Sequence, residues 1–395
     1  MVGGVQFYHN YLKGTVMVKY DETKKFLDRL HDGKLNRRSF MKGMGAAGLA
    51  SVSASLMYSQ TAHAYEGAAR IFLWGGYDDP GLFGPYIEKH GEPEYATFGD
   101  AEEGLKKLKA GFEQDVAWPC QGEIKRWVRG GVLQPLDISR MEHWDDMFPE
   151  IRDLPSGIVN GKHYFAPVDW GDTSLTYNTE KINWMSPSQG NESLTLMEDP
   201  RLKGKLGILN SAADSLYVMM HYLGTDITKS ESLTKSAIDQ GINKYRELRD
   251  NGQILTFFDD TASIAEALGN EEVWAAMTWN ETSWETGMPF MKPKEKTMNW
   301  VCGVALCANT PNVDKAYDLM NAATSPETSA YLLSEWGYGH SNKKGFSALT
   351  AAELDERGVA SNPVEHLANG VFSVMPSDEN ADYMEAQWAE MVAGG

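Results

Sequence analysis

Trp74-Gly75-Gly76-Tyr77 sets two aromatic rings on either side of a glycine pair, directly after the apolar run Ile71-Phe72-Leu73. That run has no polar alternation and reads as a short buried strand. The glycines let the backbone turn and open, and Pro80 suits the first turn of a helix that runs to His90 and stops at Gly91. Rings at the carboxyl end of a strand stand where ligands sit in open α/β sheets. Indole faces attract organic cations, by about 2 kcal/mol or more once water is excluded. A fixed carboxylate beside them adds a charge-assisted hydrogen bond. The plainer reading of the same rings is core packing. A second strand, Val273 to Asn280, also ends on an aromatic, Trp279.

Acids lie close by in sequence. Asp172, Glu281 and the pair Asp78-Asp79 are candidate anionic partners. The pair equally suits the N-terminus of the Pro80 helix, and Glu281 and Asp214 equally suit helix caps. The histidines show no His-x-x-x-His spacing, so no metal site is read. No Ser/His/Asp order or carboxylate pair stands out; no catalytic residue is assigned and no cofactor is expected. Cys120, Cys302 and Cys307 do not form a disulfide framework and read as small buried residues. Cys302 and Cys307 are five apart in a strand-like run, point to opposite faces and should not pair with each other. An oxidising compartment leaves a Cys120–Cys302 bridge open.

The elements that must position these residues alternate strand and helix at short spacing, the mark of a parallel α/β layer. A short amphipathic helix over 101–111 points Leu105 and Leu108 inward; a strand over 115–119 is followed by a helix around 123–129. Residues 163–178 form a long β-rich stretch, expected to break at Trp170-Gly171-Asp172 and pass from one sheet to another. A second α/β unit follows, with strands at 205–209, 254–258 and 273–280 and helices at 212–223 and 233–248. Trp300 to Asn309 is a second long apolar crossing, and helices at 313–323, 326–336 and 381–392 complete the chain.

The chain has 395 residues, enough for two domains, and a net charge of −19. Beyond residue 64 there are 27 Lys/Arg against 51 Asp/Glu, a net −24. This argues against nucleic acid or an anionic membrane as partner and is compatible with a cationic ligand. Asn36-Arg37-Arg38-Ser39-Phe40-Met41-Lys42 is a twin-arginine pattern, followed by an Ala/Gly/Ser-rich apolar run and the A-x-A site Ala62-His63-Ala64. The mature chain is therefore expected to start at Tyr65, exported already folded and soluble, with no later segment apolar enough to span a bilayer.

Six stretches in order carry a resemblance: Phe72 to Tyr77, Asp115 to Pro119, Trp170 to Asn178, Met277 to Asn280, Trp300 to Asn309, and a two-helix block ending Glu335-Trp-Gly-Tyr-Gly-His340. Over some 330 residues the chain resembles the periplasmic solute-binding proteins of ABC transporters, most closely the spermidine/putrescine-binding group. The resemblance implies the α/β fold of periplasmic binding protein type II, two lobes joined by crossing strands around a cleft. It implies lobes made of 65–171 plus 301–340 and of 172–300 plus 341–395, after a signal region at 1–64. It implies capture of a small organic cation, most simply a polyamine, and its delivery to an ABC transporter permease by a monomer that catalyses nothing. The resemblance implies ring contacts from Trp74, Tyr77, Trp279 and Trp300 and carboxylate positions at Asp214 and Cys302; Trp170, Asp172 and Glu281 complete the candidate ligand set, with Trp170 and Asp172 equally suited to a hinge. At Cys302 the family carries a carboxylate, so this chain departs from the pattern there. Asp172, Glu281 and Asp78-Asp79 are the acids that could replace it. The same fold with another small ligand (a quaternary amine, an amino acid derivative or a sugar acid) is the alternative. A secreted hydrolase rests on the export signal alone.

Overall fold

The computed structural model describes residues 67–394 except 100, 358, 360–362 and 369; the twin-arginine pattern and the Ala62-His63-Ala64 site lie outside them. Strands β1 (Arg70–Trp74), β2 (Glu94–Phe98) and β3 (Val116–Ala117) pair in parallel, with β1 in the middle. A small hairpin, β4 (Ile158–Val159) with β5 (Lys162–His163), stands apart from the main sheet. The long strand β6 (Ala166–Tyr177) follows, then β7 (Leu206–Leu209), β8 (Ile254–Phe258) and β9 (Ala275–Trp279). The second long strand is β10 (Thr297–Leu306), and β11 (Gly339–His340) and β12 (Gly370–Phe372) are short additions. The main sheet runs β2-β1-β3-β10-β6-β9-β7-β8, with β11 on β6 and β12 on β10.

The two ends of this sheet are parallel, as the alternation predicts: β1 to β3 at one end, β7 with β8 and β9 at the other. The middle is antiparallel, where β10 pairs with β3 and β6, and β6 with β9. One expectation fails here. β6 is a single unbroken strand of 12 residues, all buried, inside one continuous sheet. It does not break at Gly171, because β10 pairs with it from Ala166 to Thr173 and β9 takes over from Thr173 to Tyr177.

Apolar residues gather on both faces and at both ends. Ile208, Leu216, Met219, Tyr245, Met277 and Trp388 belong to one cluster. Ile71, Leu73, Tyr77, Trp118, Val304 and Trp336 belong to another, and Phe72, Phe98, Trp127, Trp170 and Val301 to a third. Cys302 packs in the second and Cys307 in the third, the opposite faces that their spacing requires. The tail divides: Phe346, Leu354, Val359 and Leu367 pack with Phe72 and Trp127, whereas Met384, Trp388 and Met391 pack with Leu216 and Tyr245.

Candidate functional site

β1 delivers Trp74 at its last position. Gly76 then takes φ 91°, a left-handed conformation that glycine adopts without steric cost. The turn closes with the Tyr77 N–H donating to the Trp74 carbonyl at 3.0 Å. It carries the Tyr77 ring inward, edge-on to Trp118 (centroids 5.6 Å apart) and Trp336 (5.0 Å). Trp336 lies 6.0 Å from Tyr338, and Tyr338 stands 4.9 Å from Trp300. Tyr77, Trp336, Tyr338 and Trp300 therefore form one continuous belt of rings. Trp300 reaches it because Gly171 has no side chain: a Cβ there would lie 2.5 Å from the indole.

Two carboxylates, Asp169 and Asp79, bond to rings of this belt, and Asp214 and Asp172 bond to other residues. Asp169, in β6, is wholly buried and accepts from the Tyr77 hydroxyl at 2.7 Å and the Trp118 Nε1–H at 3.0 Å. Burial pushes its carboxyl up to about 6, while those two bonds pull the other way. Asp79 caps the Pro80 turn through the Gly81 N–H at 2.8 Å, as expected, and also accepts from Tyr331 (2.8 Å) and Trp336 (3.2 Å). Asp214 lies in the first turn after the Ser211 cap and accepts from Trp279 Nε1 at 3.0 Å, Thr173 at 2.8 Å and Ser211 at 2.8 Å. Burial raises its pKa against those bonds. Asp172 pairs with His366, and its Oδ1 has no hydrogen-bond partner among the described residues. The Asp172 N–H donates to Asn280, whose amide in turn donates to the Gly337 carbonyl, both at 3.0 Å.

Trp74, Tyr77, Trp279 and Trp300 all border the same apolar cluster. Trp170 does not join the belt: it is 1% exposed, donates to the His340 carbonyl at 3.3 Å and packs edge-on against His366. Glu281 opens the Glu281–Thr286 helix and is buried. Cys302 is not a free thiol; it is disulfide-bonded to Cys120, and only Cys307 remains a thiol, buried. Reading all three as plain buried residues overlooked how the β3 end and β10 meet, with Cys120 bridged directly to Cys302 across the sheet.

Five further residues escaped the residue-level reading. Trp118, Trp336 and Tyr338 lie inside stretches that carry the resemblance, so their signal was present. Asp169 could have been found as an acid within an otherwise apolar strand. His366 has no local signal. Apart from the belt, a cavity of about 500 Å³ is lined by Trp74, Glu123, Trp127, Ser211, Asp259 and Trp388, among others.

Parallel α/β ends joined by two long antiparallel strands, with rings collected at the strand ends, form the architecture of type II periplasmic binding proteins. A spermidine/putrescine ABC transporter protein from Listeria monocytogenes superposes with a TM-score of 0.71 at 21% identity, covering 82% of this chain and 98% of that one. The binding protein MotA of A. tumefaciens B6, in complex with glucopine, does so with 0.65 at 17% identity, covering 82% and 99%. The chain belongs to the bacterial extracellular solute-binding proteins, whose family model matches residues 92–352. Among curated relatives, the putrescine-binding periplasmic protein PotF of Escherichia coli (strain K12) is 25% identical over 382 residues, 91% of this chain and 99% of that protein.

Proposed function

We propose that the protein captures a small organic cation, most simply a polyamine such as putrescine or spermidine, outside the cytoplasmic membrane. It passes the cation to the permease of an ABC transporter, as a monomer and without chemical turnover. The observation that carries this reading is the ring belt from Tyr77 to Trp300, with Asp169 bonded to Tyr77 and Asp79 to Trp336, together with the Trp279–Asp214 pair, whose indole borders the same apolar cluster. Quadrupolar ring faces and fixed carboxylates both select positive charge. The likeness to a putrescine-binding relative supports the same ligand class. The parallel sheet ends act as the two lobes, with β6 and β10 as the connection over which they close on the ligand. Trp74, Tyr77, Trp279 and Trp300 supply ring contacts, and Asp172, Asp214 and Glu281 supply charge. Export by the twin-arginine route to the periplasm rests on Asn36 to Lys42 and Ala62 to Ala64.

A thermal-shift panel of putrescine, spermidine, betaines, amino acids and sugars tests this directly. A ligand at 100 times its Kd stabilises the folded state by about 2.7 kcal/mol. Amines should raise the melting temperature; if only anions or sugars do so, the cation reading falls. Trp279→Ala and Trp300→Ala should each weaken amine binding by more than about 1 kcal/mol. One observation favours a second reading: Cys302, held in its disulfide, contributes no charge. A betaine, an amino acid derivative or a sugar acid in the same fold would then be the ligand.

A further inference from the structure

Glu102 and Arg126 face the 500 Å³ cavity, but they are ion-paired at 2.8 Å, and Arg126 also takes Asp382 at 2.8 Å. Its positive charge is thus already neutralised. Glu123 stands differently. It is 7% exposed, and its Oε2 makes no hydrogen bond among the described residues. Its support is fixed. The turn that carries it is tied to β10 by the Cys120–Cys302 bond and by Gln121 N–H donating to the Val301 carbonyl at 2.7 Å, and it closes with Glu123 N–H on the Cys120 carbonyl at 3.2 Å. The apolar part of the surrounding wall includes the indoles of Trp74, Trp127 and Trp388.

We propose that Glu123 is a ligand contact whose carboxylate seats an ammonium group of the bound organic cation in this cavity, flanked by Trp74. The inference rests on the cation reading above and adds to it a residue and a place. The electrostatics agree. Burial pushes the Glu123 carboxyl up to about 8, against backbone hydrogen bonds at Glu123 itself and Cys120 that pull it down and with the nearby Asp214 charge adding to the rise, so at neutral pH the protonated acid is the main form. An arriving ammonium group reverses that balance. The acid releases its proton to solvent, and an N–H of the cation donates to the carboxylate left behind. The other charged groups on the cavity wall are Glu102, Arg126, Asp259 and Glu385, and none of them is a cation left to pair with Glu123.

The test is calorimetric titration of the full chain with putrescine and with spermidine at pH 7, in buffers of different ionisation enthalpy. The wild type should release about one proton per amine bound. Glu123→Gln should bind at least about tenfold more weakly and lose the release, with an unliganded melting temperature no lower than that of the wild type. Wild-type affinity in Glu123→Gln, or proton release that persists in it, overturns the assignment while leaving the cation reading standing. If neither amine binds the wild type, both fall together.

Discussion

A carboxylate surrounded by indole and phenol rings must be paired or neutralised, because an isolated charge in such a setting is costly. Asp169 is paired, by a phenol and an indole from two other segments of the chain. Tyr77→Phe keeps the ring and removes one of those donors. It should destabilise the fold by about 1–3 kcal/mol in urea unfolding, and a change within 0.3 kcal/mol would show the bond to be idle. Glu123 is the neutralised case. Its folded pKa lies above the ordinary carboxylate value, so the folded state holds the proton more tightly than the unfolded one. Its stabilising contribution is therefore complete below about pH 4.5 and lost as pH rises toward about 8. In the unliganded protein, Glu123→Gln should flatten that decline and be the more stable variant at pH 9, by on the order of a few kcal/mol. Parallel pH profiles of the two proteins would refute the assignment.

At the scale of elements, the site depends on β6 and β10 lying in close register. A Cβ at Gly303, where their register shifts, would come within 2.3 Å of the Ala166 carbonyl oxygen and 2.7 Å of Pro167 Cα. Those are backbone atoms, so neither can swing aside. Gly303→Ala should cost about 1–3 kcal/mol or more in denaturant melts, whereas Gly75→Ala, with nothing within 4 Å of its Cβ, is the control. Equal stabilities would mean that the strand pair yields more easily than its packing suggests. Much at this scale was readable in the residues. Val313–Ala323 is helical over the span its apolar pattern marks, and the Pro80 turn is capped by Asp79. Glu94–Phe98 was not read as a strand, since its polar residues lack the apolar run that marks a buried one. The continuity of β6 was likewise hidden: Trp-Gly-Asp is a local breaking signal, and only pairing on both edges overrides it.

For the whole molecule, the Cys120–Cys302 bond joins positions 182 residues apart. Closing so long a loop restricts the unfolded chain, by about 5 kcal/mol on a chain-entropy estimate. Reduction with dithiothreitol should lower the melting temperature substantially, and Cys120→Ser with Cys302→Ser should reproduce the effect. An unchanged melting temperature in a preparation whose thiols are shown to be free would contradict it. Between them the residues alone marked most of the longer strands and helices and the aromatics Trp74 and Trp279 at strand ends, because each is written in a short window of apolar pattern and glycine. Tertiary structure alone decided that Cys302 is bonded, that Asp169 is held by Tyr77 and Trp118, and that Glu123 is buried on the wall of a cavity that Trp74 also lines. Burial and pairing belong to segments that meet only after the chain has folded, and no local window contains both partners.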